Sequence, residues 1–150
     1  MSMSDHQPIA PATAELATLD ALVGTWNWNG RSSDGSFEVT GQTSFEWLTG
    51  GHFLIERAAL RAADDENTSI AVVGVDPSGG GFIAHYFDSE GVSDTYHIDL
   101  REGALTIRWE RYRFAGRFGA DGSTVTGTWE QAPDGTTWQY WYDLELQRHD

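Results

Sequence analysis

The 150-residue sequence contains no cysteine, no lysine and only four prolines. Without cysteine there are no disulfides, no thiolate nucleophiles and no Cys-ligated zinc or iron–sulfur centres. Without lysine, Schiff-base chemistry and a covalently held pyridoxal cofactor are excluded. The nine basic residues, all arginine, face 23 acidic ones, for a formal charge of -14. Nucleic acid and anionic membrane both demand a positive footprint, so neither is expected as a partner. Arg108, Arg111, Arg113 and Arg117 form a local basic run, read here as solvated strand faces that balance nearby acids. No apolar run approaches the roughly 20 residues of a membrane span, and residues 1–13 lack the basic and apolar regions of a secretory signal. The simplest address is the cytoplasm. Residues 1–13, with Pro8 and Pro11, read as a mobile tail, and 14–150 as one domain.

Aromatic residues are plentiful: seven Phe, seven Trp and five Tyr. Leu16, Leu19, Leu22 and Val23 recur at helical spacing, which predicts a short helix over 14–23, able to close one end of a barrel. After it come ten runs of alternating residues, near 24–32, 36–48, 52–61, 68–75, 81–88, 92–100, 104–110, 113–120, 123–131 and 136–147. Most are joined by Asp-Gly or Gly-Gly turns, with a longer acidic loop expected over 62–67. Connections this short favour a closed antiparallel up-and-down β-barrel, because closure removes the edges that an open ten-stranded sheet would expose. A β-sandwich is the structural competitor.

Tight turns fix which residues face each other, and therefore which share a face. Asp34-Gly35 sets Phe37 opposite Ser32, Val39 opposite Gly30, Gly41 opposite Trp28 and Thr43 beside Trp26. Glu102-Gly103 pairs Leu100 with Leu105, Ile98 with Ile107 and Tyr96 with Trp109, sending His97 outward. Asp121-Gly122 pairs Phe118 with Val125, Gly116 with Gly127 and Phe114 with Trp129. Asp134-Gly135 pairs Trp129 with Tyr140 and Gly127 with Tyr142. Six tryptophans, Trp26, Trp28, Trp47, Trp109, Trp129 and Trp138, then share the inner face, while Trp141 points outward, under the helix or into a homodimer contact. Ten strands make a barrel wider than the eight that side chains just fill, and inward glycines at 30, 41, 116 and 127 leave more room.

The polar candidates lie on strands 3, 5 and 6. The turn over 88–91 sets Phe87 opposite Val92, His85 opposite Asp94 and Ile83 opposite Tyr96, all inward. On an otherwise apolar wall His85, Asp94 and the Tyr96 hydroxyl stand out, since buried charges need partners or a wet cavity. Asp94 would orient His85 and raise its basicity, with Tyr96 donating a hydrogen bond. A satisfied structural pair at the rim is the competing explanation. On strand 3 the turn length decides whether Glu56 or Arg57 joins the wall, and the sequence leaves both open. The expected lining is Trp28, Phe45, Trp47, Glu56 or Arg57, Ile83, His85, Phe87, Asp94, Tyr96, Trp109, Phe114, Trp129, Trp138, Tyr140 and Tyr142.

The segment Leu22-Val23-Gly24-Thr25-Trp26-Asn27-Trp28-Asn29-Gly30, after a short helical lead, resembles the Gly-x-Trp start of calycin barrels: lipocalins, fatty-acid-binding proteins and nitrobindin-like haem barrels. The Gly-Gly turn into His52-Phe53-Leu54-Ile55-Glu56, the Gly74-Val75-Asp76 step and Tyr86-Phe87-Asp88-Ser89-Glu90-Gly91 are similar to bacterial lipocalin-like domains of unknown function. The resemblance spans most of the chain and implies a one-domain barrel that holds a small hydrophobic molecule in its lumen. It does not favour haem. Nitrobindins open with Gly-x-Trp-x-Gly-x-Gly, where this chain has Trp28 for the middle glycine, and carry the iron-ligating histidine on a last strand that here offers Tyr140 and Tyr142. His85 is the one replacement ligand, and the five histidines show no clustered metal-ligand spacing. The expected function is reversible binding of a small apolar, aromatic or polycyclic ligand without a cofactor. A cofactor-free isomerase, cyclase or hydratase using His85, Asp94 and Tyr96 is the alternative, and an exposed interaction surface is disfavoured by the inward alternation.

Overall fold

A computed structural model describes residues 13–149. The predicted tail therefore lies outside the described residues, apart from Thr13, which opens the helix. Ten antiparallel strands close into a barrel: β1 Gly24–Arg31, β2 Glu38–Trp47, β3 Leu54–Ala62, β4 Asp65–Val75, β5 Phe82–Asp88, β6 Ser93–Arg101, β7 Ala104–Arg108, β8 Tyr112–Phe118, β9 Thr124–Gln131 and β10 Gln139–His149. Neighbours in sequence are neighbours in the sheet, and β1 pairs with β10 to close the ring. The expected up-and-down barrel is the observed fold. No helix among the described residues is long and apolar enough to cross a membrane.

The expected helix breaks in two, α1 over Thr13–Ala17 and a tighter 3-10 turn over Thr18–Leu22. Leu16, Leu19 and Leu22 are buried against the barrel end. Three polar bonds hold this plug: the Trp26 indole donates to the Leu22 carbonyl at 2.8 Å, the Trp47 indole to Asp20 at 2.8 Å, and the Gly81 N–H to Glu15 at 3.0 Å. From the last strand Arg148 donates to the carbonyls of Val23 and Ala21 while stacking on Trp26. Trp26 is fully buried.

Registers set by the Asp34-Gly35, Glu102-Gly103 and Asp121-Gly122 turns are as expected: Trp28 faces Gly41, Ile98 faces Ile107 and Phe114 faces Trp129. The first and third of these loops are longer than two residues, closed by Ser32 N–H to Phe37 and Gly119 N–H to Thr124. An even loop centred on the same peptide leaves the faces unchanged. The β3–β4 connection corrects the expected long loop: β3 and β4 pair down to Ala62 opposite Asp65, and Ala63 takes the positive φ of 55° that so tight a turn requires.

Two hairpins depart from expectation. Between β5 and β6, Asp88 N–H bonds the Val92 carbonyl and Gly91 takes a φ of 84°, giving a three-residue loop with a glycine bulge. That odd count pairs Phe87 with Ser93 and Ala84 with Tyr96, so β5 turns over relative to β6. Phe82, Ala84 and Tyr86 face in; Ile83, His85 and Phe87 face out. In β10, Tyr140 pairs with Glu130 but Tyr142 with Trp129, a bulge at Trp141. Residues past the bulge keep their expected face but slide by two, so Leu144, not Tyr142, meets Gly127. Those before it are reversed.

Candidate functional site

The barrel encloses a cavity of about 410 Å³ that runs from Leu22 of the plug towards Asp88, Val92 and Tyr112 at the other end. The expected residues Trp28, Phe45, Glu56, Tyr96, Trp109, Phe114, Trp129 and Tyr142 line it. Trp26, Thr43, Tyr86, Asp88, Tyr112 and Trp141 join them. The inward glycines do not add to this space. A Cβ on Gly116 or Gly127 would sit 2.5–2.6 Å from the Phe114 ring, and one on Gly30 would sit 2.6 Å from Tyr142. These glycines are seats for aromatic rings.

Glu56 is the charge that the wall receives. The four-residue Thr49–His52 loop places it opposite Phe45 on the inner face, and Arg57 points out towards Glu46. Tyr96 donates to Glu56 Oε1 at 2.7 Å and Thr43 to Oε2 at 3.0 Å. Burial pushes the Glu56 carboxyl above its ordinary value, with these two bonds working against the shift. The Tyr96 phenol is driven up strongly by burial and by the neighbouring Glu56 charge. Tyr96 also stacks on Trp109 with centroids 4.6 Å apart, and Tyr86 meets the same indole edge-on at 4.8 Å. Tyr86 donates to Asp88 at 2.9 Å; burial and that bond raise its phenol. Burial opposes ionisation of Asp88, but donors from Val92, Tyr86, Asn67 and Glu90 together hold its carboxyl below the ordinary value.

Across the ring, Phe114 and Trp129 pack at 5.4 Å, and Trp129 and Tyr142 at 6.4 Å. Burial raises the Tyr142 phenol. The Trp28 indole N–H sits beside that hydroxyl without forming an aligned bond, and the buried Trp129 N–H has no partner among the described residues.

Half of the expected lining falls elsewhere. His85 and Phe87 are on the outer face because of the odd β5–β6 loop, and Ile83 lies there too, opposite His97. Asp94 faces Tyr86, not His85, and is exposed, its carboxylate accepting the Thr95 N–H. The acid–base pair of His85 and Asp94 is therefore not assembled. Trp47 packs under the plug through Asp20. Trp138 lies beneath the Arg113 guanidinium. Tyr140 is 44% exposed, taking the Ser33 N–H and donating to Asp143. Trp141, expected outside, is turned by its bulge onto Phe37, Tyr112 and Tyr142 and lines the cavity. The signal for Tyr86 and Asp88 was present in the sequence: β5 also alternates as Phe82, Ala84, Tyr86, an equally apolar face. Among the described residues no histidine lines the cavity.

Fold and cavity together define a closed ten-stranded antiparallel β-barrel with an aromatic lumen. Residues 11–108, through β7, match the family described as protein of unknown function (DUF1579), and the chain belongs to that family. No curated protein matches. Among solved structures, Rv2717c from M. tuberculosis is similar over 95% of this chain and 100% of its own, with a TM-score of 0.63 at 15% identity. A de novo designed fluorescence-activating β-barrel covers 88% of this chain and 97% of its own, with a TM-score of 0.48 at 18% identity.

Proposed function

We propose that the protein binds a small, flat, largely apolar molecule in the barrel lumen. The observation that carries this reading is the cavity itself. About 410 Å³ lies within the range of roughly 300–1,000 Å³ that small-molecule sites occupy, and its wall is rings with a few convergent polar groups. A barrel that served only as a scaffold would gain stability by filling this space, since each void forfeits contacts. The unpartnered Trp129 N–H points to the same conclusion, because a buried donor without an acceptor is costly until something supplies one. Aromatic ligands with an acceptor atom satisfy both demands.

Titration with the neutral dye Nile red tests this. It should bind once per chain, brighten and quench tryptophan emission. Ala58, small and on the cavity wall, is the site at which to block it. Ala58→Trp should lower the affinity by about tenfold or more. Absence of binding, or binding that ignores Ala58→Trp, would sink the proposal.

A further inference from the structure

Resting on the reading of the lumen as a ligand site, we infer that the ligand is an aromatic cation, a protonated amine or amidine on a flat ring system whose N–H group meets Glu56. Among the described residues, every ionisable side chain on the cavity wall is an acid or a phenol. Glu56 and Asp88 are the carboxylates, no arginine or histidine lines the space, and the sequence has no lysine. A carboxylate ligand would enter a lumen that offers it no counter-charge and would face Glu56 directly. The geometry around Glu56 is that of a site for the ionised form. Both neighbouring hydroxyls donate inward, Tyr96 to one oxygen and Thr43 to the other, and each carboxylate oxygen keeps a further lone pair. Two hydrogen bonds do not offset burial of a full charge, and a cation in the cavity would supply the remaining compensation.

The rings beside Glu56 fit the same occupant. Tyr96 and Trp109 stack nearly parallel, at 16°, and Tyr86 closes on them at steep angles. Such a cluster presents π-electron density to a positive charge. Tyr86 and Tyr96 are the other titratable groups facing Glu56, on β5 and β6, with Asp88 beyond Tyr86; Phe45 on β2 and Ala71 on β4, its ladder partners, are uncharged. None of these neighbours is positive. The formal charge of -14 draws cations towards the mouth before any contact is made.

Three probes on one tricyclic frame separate charge from shape: aminoacridine as the cation, hydroxymethylanthracene as the neutral form and anthracenecarboxylate as the anion. Each is titrated into the full chain at neutral pH and physiological salt, with tryptophan quenching as the readout. Aminoacridine should bind about tenfold or more tighter than the neutral probe, and the anion most weakly. Glu56→Gln should erase the cation's advantage over the neutral probe, and Glu56→Asp should keep part of it. Acidification should weaken aminoacridine binding in the wild-type chain but not in Glu56→Gln, because protonation removes the counter-charge. The neutral probe and the thermal transition report whether each variant is folded. Equal or tighter binding of the anion, or a cation preference unchanged in Glu56→Gln, overturns the inference and leaves the lumen a ligand site. Binding of none of the three, with Nile red also excluded, removes both.

Discussion

Two arcs of the barrel wall face each other across the lumen and are built on different principles. Strands β8, β9 and β10 lie five places around the ring from β3, β4 and β5. The β8–β10 arc is a packed stack of Phe114, Trp129 and Tyr142, in which Phe114 and Tyr142 rest on glycines that have no side chain to obstruct them. Its polar atoms of note are an unaligned indole N–H beside it, on Trp28, and an unpartnered one, on Trp129. Facing it, β2 to β6 carry a hydrogen-bonded system, Thr43 and Tyr96 donating to Glu56 and Tyr86 to Asp88, with each of these hydroxyls spoken for. One side is held by volume and the other by charge satisfaction. A ligand of the kind proposed, lying between them, would meet donors on one side and acceptors on the other and so would be held one way round.

That contrast can be broken from either side. Phe114→Ala on the packed arc should cost about 4 kcal/mol, seen as a lowered denaturant midpoint that does not vary with pH between mildly acidic and neutral conditions. Gly127→Val should cost about 3 kcal/mol by the opposite route, since its first added carbon already lies 2.3 Å from the Ala115 carbonyl. A loss smaller than about 1 kcal/mol in either would mean that the stack is loose. Glu56→Gln on the polar arc should behave differently, with an effect that depends on pH. Burial raises the folded carboxyl above its ordinary value of 4.5, so the folded chain holds the proton more tightly than the unfolded one. Its contribution is fully present below the unfolded value and is lost as pH rises through the folded one. The Gln variant lacks that loss, so its stability relative to wild type should climb over this window by about 1.4 kcal/mol for each pH unit that separates the unfolded and folded values, and level off above it. A difference that stays flat would show that Glu56 titrates normally. The smallest effects belong to the two exposed residues that do not pair, His85 on the outer face and Asp94 near the start of β6: His85→Ala and Asp94→Ala should each change stability by no more than about 0.5 kcal/mol, and probe affinity by less than about twofold.

The two arcs also differed in how far the sequence could be read. All ten strands and three registers followed from alternation and Asp-Gly or Glu-Gly punctuation, because those loops hold an even number of residues and the face does not depend on which even number it is. Glu56 was one of two open choices, resolved by the Thr49–His52 loop. The errors sit where one residue more or less was decided by side-chain bonds that alternation does not reveal. Asp88 gathers the N–H groups of Glu90 and Val92 and so tightens its loop to three, which moves His85 from the lumen to solvent. Asp134 similarly gathers Thr136 and Thr137 ahead of the Trp141 bulge, which reverses Trp138, Tyr140 and Trp141. Tyr96 survived because the Glu102-Gly103 hairpin fixed its strand independently. Half of the expected lining faces the cavity, and His85 and Asp94 do not meet because their pairing rested on a single turn.

The seam between β1 and β10, with Thr25 against His149 and Arg31 against Asp143, joins the earliest strand to the latest. A nascent chain emerging from the ribosome can form every other ladder in order, but this one only after about 120 intervening residues have been made. Until then β1 and β9 are both raw borders, and the ring-lined inner surface lies open like an unrolled sleeve. Stalled or truncated chains would present it to each other, so translation through β10, capped by the grip of Arg148 on the plug, is the moment at which this protein stops being sticky.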